Sequence, residues 1–325
     1  MSSKNVLITG GAGYIGSLLC EKLLEMDYYV RILDTFDFGI DPIKKSTFHP
    51  SFKVNFGDIR NTNDVKKSLE AIDYVIHLAG IVGDPACAIQ ADKAVDVNFN
   101  ATKNLALISK KKNIKKFIFA STCSVYGASK NKILTEESEL NPVSLYGETK
   151  IDAETAIFQL MNDDFKPTVL RFGTLYGLSY RPRFDLVINF LTKKMVLDKK
   201  GKIFGGDQWR PFVHVRDVVK GLALILESPI EKIGGEVFNV GVTKENYQMK
   251  DIGKIFEDIF IDVNIEYVKE IKDERSYNVS FKKFEKNFNF KNDFNVRNGI
   301  IEIKNAIEKG IIKNPDDEKY KNYNP

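Results

Sequence analysis

Cysteine, histidine and tryptophan are scarce in this chain, whose 325 residues include three cysteines, three histidines and one tryptophan. Cys20, Cys87 and Cys123 are odd in number and widely spaced, so the sequence supports neither a disulfide framework nor a zinc site. Such sparse cysteine usage is typical of a reducing compartment, and we expect a cytoplasmic protein without a bound metal.

Long apolar runs and an excess of one charge are also absent. No apolar stretch approaches the ~18 residues that span a bilayer, and the N-terminus lacks the pattern of a signal peptide. The 48 basic and 44 acidic residues leave a net charge of +4, and the lysines are scattered. The sequence therefore indicates binding to neither membranes nor nucleic acid. Its composition is typical of a globular protein with one large domain or two smaller ones.

The first half of the chain alternates apolar β-type runs with helical patterns. The predicted strands are Asn5–Thr9, Tyr29–Asp34, Phe52–Val54, Asp73–Leu78, Phe117–Ser121 and Pro167–Arg171. The predicted long helices are Tyr14–Met26, Asp92–Lys110 and Tyr146–Met161. Strands that alternate with helices, and that are apolar throughout, predict an α/β fold with a Rossmann-type, doubly wound parallel sheet.

Three glycines separate the first predicted strand from the first helix. Gly10, Gly13 and Gly16 follow the spacing Gly-x-x-Gly-x-x-Gly, which allows a tight turn and a close approach of the backbone to a pyrophosphate. The free N–H groups and the dipole of the helix N-terminus attract the phosphates. Tyr14 and Ile15 belong to the same predicted cofactor loop.

Asp34 ends the second predicted strand, about 20 residues after this loop. A carboxylate there can accept hydrogen bonds from both hydroxyls of an adenosine ribose. It would also repel a 2′-phosphate, so the sequence predicts NAD rather than NADP. Asp58 and Ile59 follow the third strand, and we expect them to contact the adenine.

The end of the fourth strand is expected beside the pyrophosphate and the nicotinamide ribose. Leu78, Ala79 and Gly80 are the predicted contacts there. His77 precedes them, and we expect it to be buried and hydrogen-bonded rather than catalytic.

Tyr146 and Lys150 lie four residues apart, which places both side chains on one face of a helix. An ammonium group beside a phenol stabilises the phenolate, so the tyrosine can act as a base below its ordinary pKa of about 10. Together with a dinucleotide loop, this pair predicts hydride-transfer chemistry.

The order of these motifs resembles the extended short-chain dehydrogenase/reductases, and more narrowly the nucleoside-diphosphate-sugar epimerase/dehydratase family. The matching segments are Thr9–Gly16, Asp34, Gly57–Arg60, His77–Gly80, Asn98, Ser121–Gly127, Tyr146–Lys150, Arg171–Gly177 and Arg210–Asp217. The resemblance covers about Asn5 to Ser280. It implies NAD as the cofactor, a nucleoside-diphosphate sugar as the substrate, and a homodimer formed through two long helices.

The resemblance also implies roles for single residues. Thr122 stands where the family has its catalytic Ser or Thr, and Tyr146 is the base. Lys150 lowers the pKa of Tyr146 and binds the nicotinamide ribose. Asn98 matches an asparagine on the helix behind the active site and is counted with the cofactor-binding residues.

Arg210 and Arg275 match two arginines that clamp the substrate diphosphate. Two guanidinium groups suit a diphosphate because each can form bidentate hydrogen bonds. Asp84 could contact a sugar hydroxyl or cap a loop. The segments Gly80–Cys87, Arg183–Asp185 and Gly205–Arg210 look like a branch that acts on surface-polysaccharide precursors. Members of this branch that oxidise a GDP-linked heptose at C4 are a specific possibility.

Two departures from the family pattern bear on the reaction. Cys123 and Ser124 stand where dehydratases and decarboxylases carry an acid pair after the catalytic threonine. Without those carboxylates, 4,6-dehydration and decarboxylation lack their acid–base pair. Thr174 and Leu178 replace the family's Asn and Pro, so a sugar contact at Thr174 differs.

These observations predict an enzyme that oxidises the sugar at C4, either a 4-epimerase or a 4-dehydrogenase. The alternatives are a dehydrogenase of a hydroxysteroid or other small alcohol, and a non-catalytic NAD-sensing scaffold. Residues 1–172, with about 212–242, are assigned to the NAD-binding domain. Residues of about 173–211 and 243–325 are assigned to a nucleotide-sugar-binding domain, whose polar tail, residues 314–325, is expected to be frayed.

Overall fold

A parallel sheet of seven strands forms the centre of the structure, a computed structural model that describes residues 4–269 and 275–322. The strands of the described chain are β1 Asn5–Thr9, β2 Tyr29–Asp34, β3 Phe52–Phe56, β4 Tyr74–His77, β5 Lys116–Thr122, β6 Ala128–Leu134, β7 Thr168–Phe172, β8 Thr174–Tyr176, β9 Lys200–Phe204, β10 Trp209–His214, β11 Val237–Val240, β12 Asn246–Gln248, β13 Asn264–Val268 and β14 Ser276–Val279. The central sheet has the order β11-β7-β5-β4-β1-β2-β3 with every pair parallel. The predicted doubly wound sheet is thus confirmed.

Helices cover both faces of this sheet. The helices of the described chain are α1 Gly16–Glu25, α2 Thr62–Ser68, α3 Asp84–Ile89, α4 Ala91–Val95, α5 Thr102–Lys111, α6 Leu145–Gln159, α7 Val187–Asp198, α8 Val215–Glu227, α9 Ile230–Ile233, α10 Met249–Ile259, α11 Lys282–Phe288 and α12 Val296–Glu308. Successive residues of β1 point to opposite faces, because a strand alternates its side chains. Ile8 packs with α1 and α8, whereas Leu7 packs with α2, α5 and α6. The two-sided burial explains why these strands are apolar throughout.

The predicted helix Asp92–Lys110 is not one regular helix. Its middle, Asp96–Ala101, is a π-helical segment that separates α4 from α5. Such segments are frequent at functional sites because they widen one turn and redirect a side chain. Asn98 lies in this segment and is buried.

A second core lies outside the central sheet. Its buried apolar residues come mainly from α7, β9, β10, α10 and α12. The small sheets β13-β9 and β12-β10-β8 accompany it. The division of the chain into two domains at about residue 172 stays a prediction.

The expectation of a frayed tail is wrong for residues 314–322. The Tyr320 ring packs edge-on against Phe184, with 5.9 Å between the ring centroids. The backbone N–H of Phe184 donates to the Tyr320 carbonyl oxygen at 2.8 Å. Lys193 forms an ion pair with Asp316 at 2.5 Å. Specific aromatic and charged contacts therefore order a segment whose polar composition suggested none; residues 323–325 lie outside the described chain.

Over the described ranges 4–269 and 275–322, no helix has both the length and the apolar character needed to cross a membrane. The same ranges contain no cluster of three or more His, Cys, Asp or Glu side chains that could hold a metal ion.

Candidate active site

A deep cavity opens where the strands of the central sheet reach their carboxyl ends, the usual ligand position in such sheets. Most of the predicted cofactor residues line it, namely Gly10, Gly13, Tyr14, Ile15, Gly16, Asp34, Asp58, Ile59, Leu78, Ala79, Gly80, Tyr146 and Lys150. Thr122 and Arg183 of the predicted substrate set line it too. The fold thus brings together residues that are far apart in the sequence.

The glycine loop has the shape that its spacing predicts. Gly10 has a φ of +74°, and a Cβ atom on it would lie 2.8 Å from the backbone nitrogen of Ala79. A Cβ atom on Gly16 would collide with the Gly10 carbonyl oxygen. The Ser17 N–H is bonded to the Gly13 carbonyl oxygen at 3.1 Å, but within the described structure no side chain caps the first turn of α1, so no side chain competes with an anion there. These features suit the pyrophosphate of a dinucleotide.

Asp34 is anchored and still able to accept further hydrogen bonds. Its Oδ2 accepts from the Ala12 N–H at 2.9 Å, and its Oδ1 accepts from the Phe36 N–H at 2.8 Å. Burial raises the pKa of this carboxyl, although both backbone donors oppose the rise. Since each carboxylate oxygen has two acceptor positions, both hydroxyls of a ribose can be bound here.

The adenine end differs in one detail from the expectation. Asp58 forms an ion pair with Arg60 at 2.6 Å, and the hydrogen bonds from Arg60 lower the pKa of its carboxyl. The Asp58 carboxylate is therefore already engaged on one side. Ile59 is buried and supplies the expected apolar wall.

His77 is a structural residue, as predicted. Its Nδ1 lies 2.6 Å from the Thr9 hydroxyl and its Nε2 lies 2.8 Å from the Thr102 hydroxyl. Burial, with a smaller contribution from the charge of Lys150, lowers the pKa of His77 to about 3. The ring is therefore neutral at physiological pH and ties β1 and β4 to α5.

Asn98 does not line the cavity, contrary to its assignment as a cofactor contact. Its Oδ1 accepts from the Ile81 N–H at 2.8 Å, and its Nδ2 donates to the Ile81 carbonyl oxygen at 2.9 Å. A Cβ atom on Gly80 would lie 3.0 Å from the same Oδ1. Asn98 thus holds the loop after β4 from behind, and this loop lines the cavity.

Helix α6 carries the pair that the sequence singled out. Ser144 caps its first turn by accepting from the Gly147 N–H. One turn into the helix, the Lys150 ammonium group donates to the Ala120 carbonyl oxygen at 2.9 Å. Burial lowers the pKa of Lys150 to about 8.

The Tyr146 phenol differs from the expectation of a ready base. Burial raises its pKa above the ordinary value, and the charges of Cys87 and Asp84 act in the same direction. A hydrogen bond with Thr122 and the positive charge of Arg183 oppose the rise but are smaller than the desolvation. The four-residue spacing of Tyr146 and Lys150 therefore does not by itself predict the pKa of Tyr146, because burial of the phenol outweighs the nearby positive charge.

Cys123 and Ser124 occupy a tight turn directly after β5. The Cys123 thiol is buried, its pKa is raised by burial, and its sulfur lies 3.4 Å from the Arg171 carbonyl oxygen. Ser124 lies 3.3 Å from the Tyr277 hydroxyl and 3.2 Å from the Thr122 hydroxyl. This turn places no carboxylate beside Thr122.

Three other predicted substrate residues, Asp84, Arg210 and Arg275, form a cluster beside the cavity. Arg275 forms an ion pair with Asp84 at 2.7 Å, and the Ser144 hydroxyl donates to Asp84 at 2.8 Å. Arg210 donates to the carbonyl oxygens of Arg275 and Trp209. Asp84 also influences the pKa of Tyr146, so the cluster adjoins the catalytic helix.

Thr174 and Arg183 lie apart from that cluster. Thr174 lies in β8, paired with Phe212 of β10, outside the cavity lining. Arg183 forms a bidentate ion pair with Asp185.

Several residues of the cavity wall were not predicted from the sequence, and three of them are in contact with one another or adjoin the C-terminal segment. These three are Phe38, Arg181 and Asn322. Phe38 and Arg181 lie in loops without a motif, and Asn322 lies in the tail that was expected to be frayed. The one sequence feature that could have indicated Arg181 is the pair of arginines, Arg181 and Arg183, on either side of a proline.

Comparison with known proteins agrees with this geometry. The description of the matching family model is "NAD dependent epimerase/dehydratase family", and the match covers residues 6–241. An uncharacterised UDP-glucose epimerase of Bacillus subtilis is 34% identical over 271 residues, which are 78% of this chain and 81% of the relative. A UDP-glucose 4-epimerase of Lactobacillus helveticus is 31% identical over 265 residues, which are 76% and 79% of the two chains.

A solved structure shows the same similarity in three dimensions. The UDP-glucuronic acid 4-epimerase of Bacillus cereus, in complex with UDP-glucuronic acid and NAD, superposes with a TM-score of 0.85. It is 31% identical, and the match covers 94% of this chain and 99% of that one.

Proposed function

Since this chain belongs to the NAD dependent epimerase/dehydratase family and is an NAD-dependent enzyme of the short-chain dehydrogenase/reductase type, we propose that it is a 4-epimerase of a nucleoside-diphosphate sugar. The observation that carries this proposal is the shared cavity. Tyr146, Lys150 and Thr122 line the same space as the glycine loop and Asp34. The relatives named as 4-epimerases support epimerisation over net dehydrogenation.

In the proposed reaction, residues of this chain transfer one proton from the C4 hydroxyl of the sugar and later return it. When bound, NAD⁺ supplies a hydride acceptor and a positive charge. Tyr146 must first lose its own phenolic proton; as the phenolate it then takes the proton from the C4 hydroxyl as the C4 hydrogen leaves as hydride, and Thr122 hydrogen-bonds to the same hydroxyl. Lys150 is proposed to hold the cofactor ribose, while the charge of Arg183 and the hydrogen bond with Thr122 oppose the raised pKa of the phenol. Return of hydride to the opposite face of the ketone, with the proton from Tyr146, gives the C4 epimer.

The turn after β5 supports this reaction over its competitors. A 4,6-dehydratase must remove a proton at C5 and expel water, and both steps need an acid–base pair beside the catalytic threonine. Cys123 is turned into the core and Ser124 is a neutral alcohol. We therefore propose that the ketone is an intermediate that is reduced again.

The diphosphate is proposed to bind at Arg210 and Arg275, with UDP favoured as the nucleotide by the named relatives. A GDP-heptose substrate, a place in polysaccharide precursor synthesis, and release of the ketone by a 4-dehydrogenase stay predictions. The arginine cluster disfavours a steroid or small alcohol, which has no diphosphate. The complete set of Thr122, Tyr146 and Lys150 disfavours a non-catalytic scaffold.

The test is a panel of UDP-glucose, UDP-glucuronic acid, a GDP-heptose and a hydroxysteroid. Products are separated by chromatography while NADH is followed at its absorbance band. We expect conversion of a UDP-sugar to its C4 epimer without net NADH. Stoichiometric NADH with a 4-keto product would show a dehydrogenase, and turnover of the steroid alone would overturn the proposal.

A further inference from the structure

Arg181 is a buried cation on the wall of the cofactor cavity. It lies between β8 and α7 and is only 4% exposed. Its guanidinium group stacks on the Phe38 ring, with 3.6 Å to the ring centroid. Nη1 donates to Oδ1 of Asn322 at 2.5 Å, and Nη2 donates to the Lys321 carbonyl oxygen at 3.0 Å. All these contacts are with neutral groups.

The third nitrogen of this guanidinium group has no partner. The Nε–H of Arg181 is buried and forms no hydrogen bond with any residue that the structure describes. A buried donor without a partner is costly, and more so on a charged group. Such a group in a cavity therefore indicates a ligand that accepts from it.

The charges around Arg181 favour an anion. Burial and the neighbouring Arg183 lower the pKa of Arg181 to about 10, whereas Asp185 and Asp34 raise it, so the side chain is charged at neutral pH. Asp185 is already bound to Arg183, and Asp34 is bound to the backbone of the glycine loop and of Phe36.

We infer that Arg181 binds the pyrophosphate of the dinucleotide, and that the C-terminal segment, residues 318–322, is the element that positions its guanidinium group. The shared chemistry of the ligand is a diphosphate ester. The cofactor is the assigned source because Arg181 lines the cavity of the glycine loop, whereas Arg210 and Arg275 lie in the separate cluster with Asp84. This inference rests on the cofactor and is independent of which sugar is the substrate.

The C-terminal segment, residues 318–322, is held in place by contacts of Tyr320 and of Asn322. Tyr320 is fixed to Phe184 by its ring and its carbonyl oxygen. Asn322 also donates to the carbonyl oxygen of Val82, at 3.4 Å, in the loop that follows β4. The segment thus joins Arg181 to the loop after β4 and holds two of the three nitrogens of its guanidinium group.

The test compares R181Q with the matched control R297Q, in which an exposed arginine paired with Asp258 is changed. Binding of NADH, ADP, adenosine and UDP is measured for the purified full chain by fluorescence and calorimetry. For R181Q we expect the Kd of NADH and of ADP to rise about 10-fold to 50-fold, because a charge-assisted hydrogen bond is lost. The Kd of adenosine, the Kd of UDP and the thermal unfolding midpoint should stay near those of the control.

Three results would overturn the inference. They are a Kd of NADH within about twofold of the control, an equal loss for adenosine, or a loss confined to UDP. The last result would assign Arg181 to the substrate diphosphate.

If R181Q does not fold, R181K provides the same comparison, because lysine keeps the charge but lacks the Nε–H in that geometry. We expect R181K to raise the Kd of NADH about fivefold. The variant N322A tests separately whether the C-terminal segment positions Arg181. We expect the rate of NADH release to rise about threefold and the Kd of adenosine to stay unchanged. An unchanged rate of NADH release would show that the C-terminal segment does not position Arg181.

Discussion

At the scale of single residues, the Tyr146 hydroxyl is the proposed proton acceptor and its neighbours determine when it can act. The Y146F variant removes this oxygen and leaves the ring in place. We expect the turnover number to fall about 10³-fold or more, because the general base is lost. The Kd of NADH, measured by fluorescence, should change less than about threefold.

The control for this prediction is Y180F. Tyr180 is exposed and donates to Glu21 on the surface, so its loss should leave turnover unchanged. Substantial turnover by Y146F would remove Tyr146 from the proposed mechanism.

Lys150 gives the protein a distinctive dependence on pH. Its pKa is about 8 in the folded chain and about 10.5 in the unfolded chain, so the unfolded chain binds more protons between these values. Stability therefore rises with pH through this window and is lost as pH falls through 8. Relative to K150M, the free energy of unfolding of the wild type should increase by about 2 kcal/mol from pH 7.5 to 9.5.

Urea unfolding of both proteins without added cofactor measures this difference. The comparison between the two chains removes the contribution of every other titrating group. A difference that stays constant, or that falls with rising pH, would show that Lys150 is not a buried cation in solution.

Sequence reasoning located Tyr146, Lys150 and Asp34 because local rules suffice for them. A spacing of four on a helix, and an acid at the end of a strand, are properties of short segments. Arg181 could not be found this way, since Phe38 and Asn322 are distant from it in the chain. The raised pKa of Tyr146 could not be predicted from the sequence either, because it results mainly from burial.

At the scale of secondary-structure elements, an ion pair joins the start of α3 to Arg275, the residue before β14, at the proposed substrate site. Asp84 and Arg275 lie 2.7 Å apart, and each side chain is about one quarter exposed. If Arg275 binds a diphosphate, Asp84 competes for it. In D84N we therefore expect the Kd of UDP to fall about threefold to tenfold, as measured by calorimetry.

The matched control is D258N, which removes an exposed carboxylate that pairs with Arg297 away from the cavity. Its UDP affinity should equal that of the wild type. A weaker affinity of D84N for UDP would show instead that Asp84 supports the bound substrate.

The elements of the first half were predictable because both faces of the sheet are covered and the strands are apolar throughout. The π-helical segment was not predicted; its Asn98 bonds to Ile81 in the loop after β4, a contact that local sequence rules do not reveal. The ordered tail escaped prediction for a similar reason. Its polar residues gain their order from Phe184 and Lys193, both distant in sequence.

At the scale of the whole molecule, the charged side chains that α5 and α6 present to solvent have opposite signs. The exposed positions of α5 are Lys103, Leu107 and Lys111, whereas those of α6 are Glu148, Asp152, Thr155 and Gln159. In a homodimer that pairs α5 with α6 of a second copy, the two lysines would face the two carboxylates. We propose on this complementarity that the homodimer implied by the family resemblance forms through these helices.

Leu107 is the apolar residue between the two lysines of this face. We expect L107E to shift the protein from dimer to monomer, because it adds an unfavourable charge and removes apolar contact area. Sedimentation velocity measures the mass, and I261E, at a highly exposed site on neither helix, is the control. A dimer that withstands L107E would place the interface elsewhere.

The position of Trp209 gives the protein an intrinsic optical reporter. It is the sole indole of the chain, and its carbonyl oxygen accepts from the same Arg210 that is proposed to hold the sugar nucleotide. Its backbone N–H is bound to Ser276, which immediately follows Arg275. Trp209 fluorescence should therefore report binding at the nucleotide-sugar site, while NADH fluorescence reports binding at the cofactor site. Both ligands can thus be followed in the same sample.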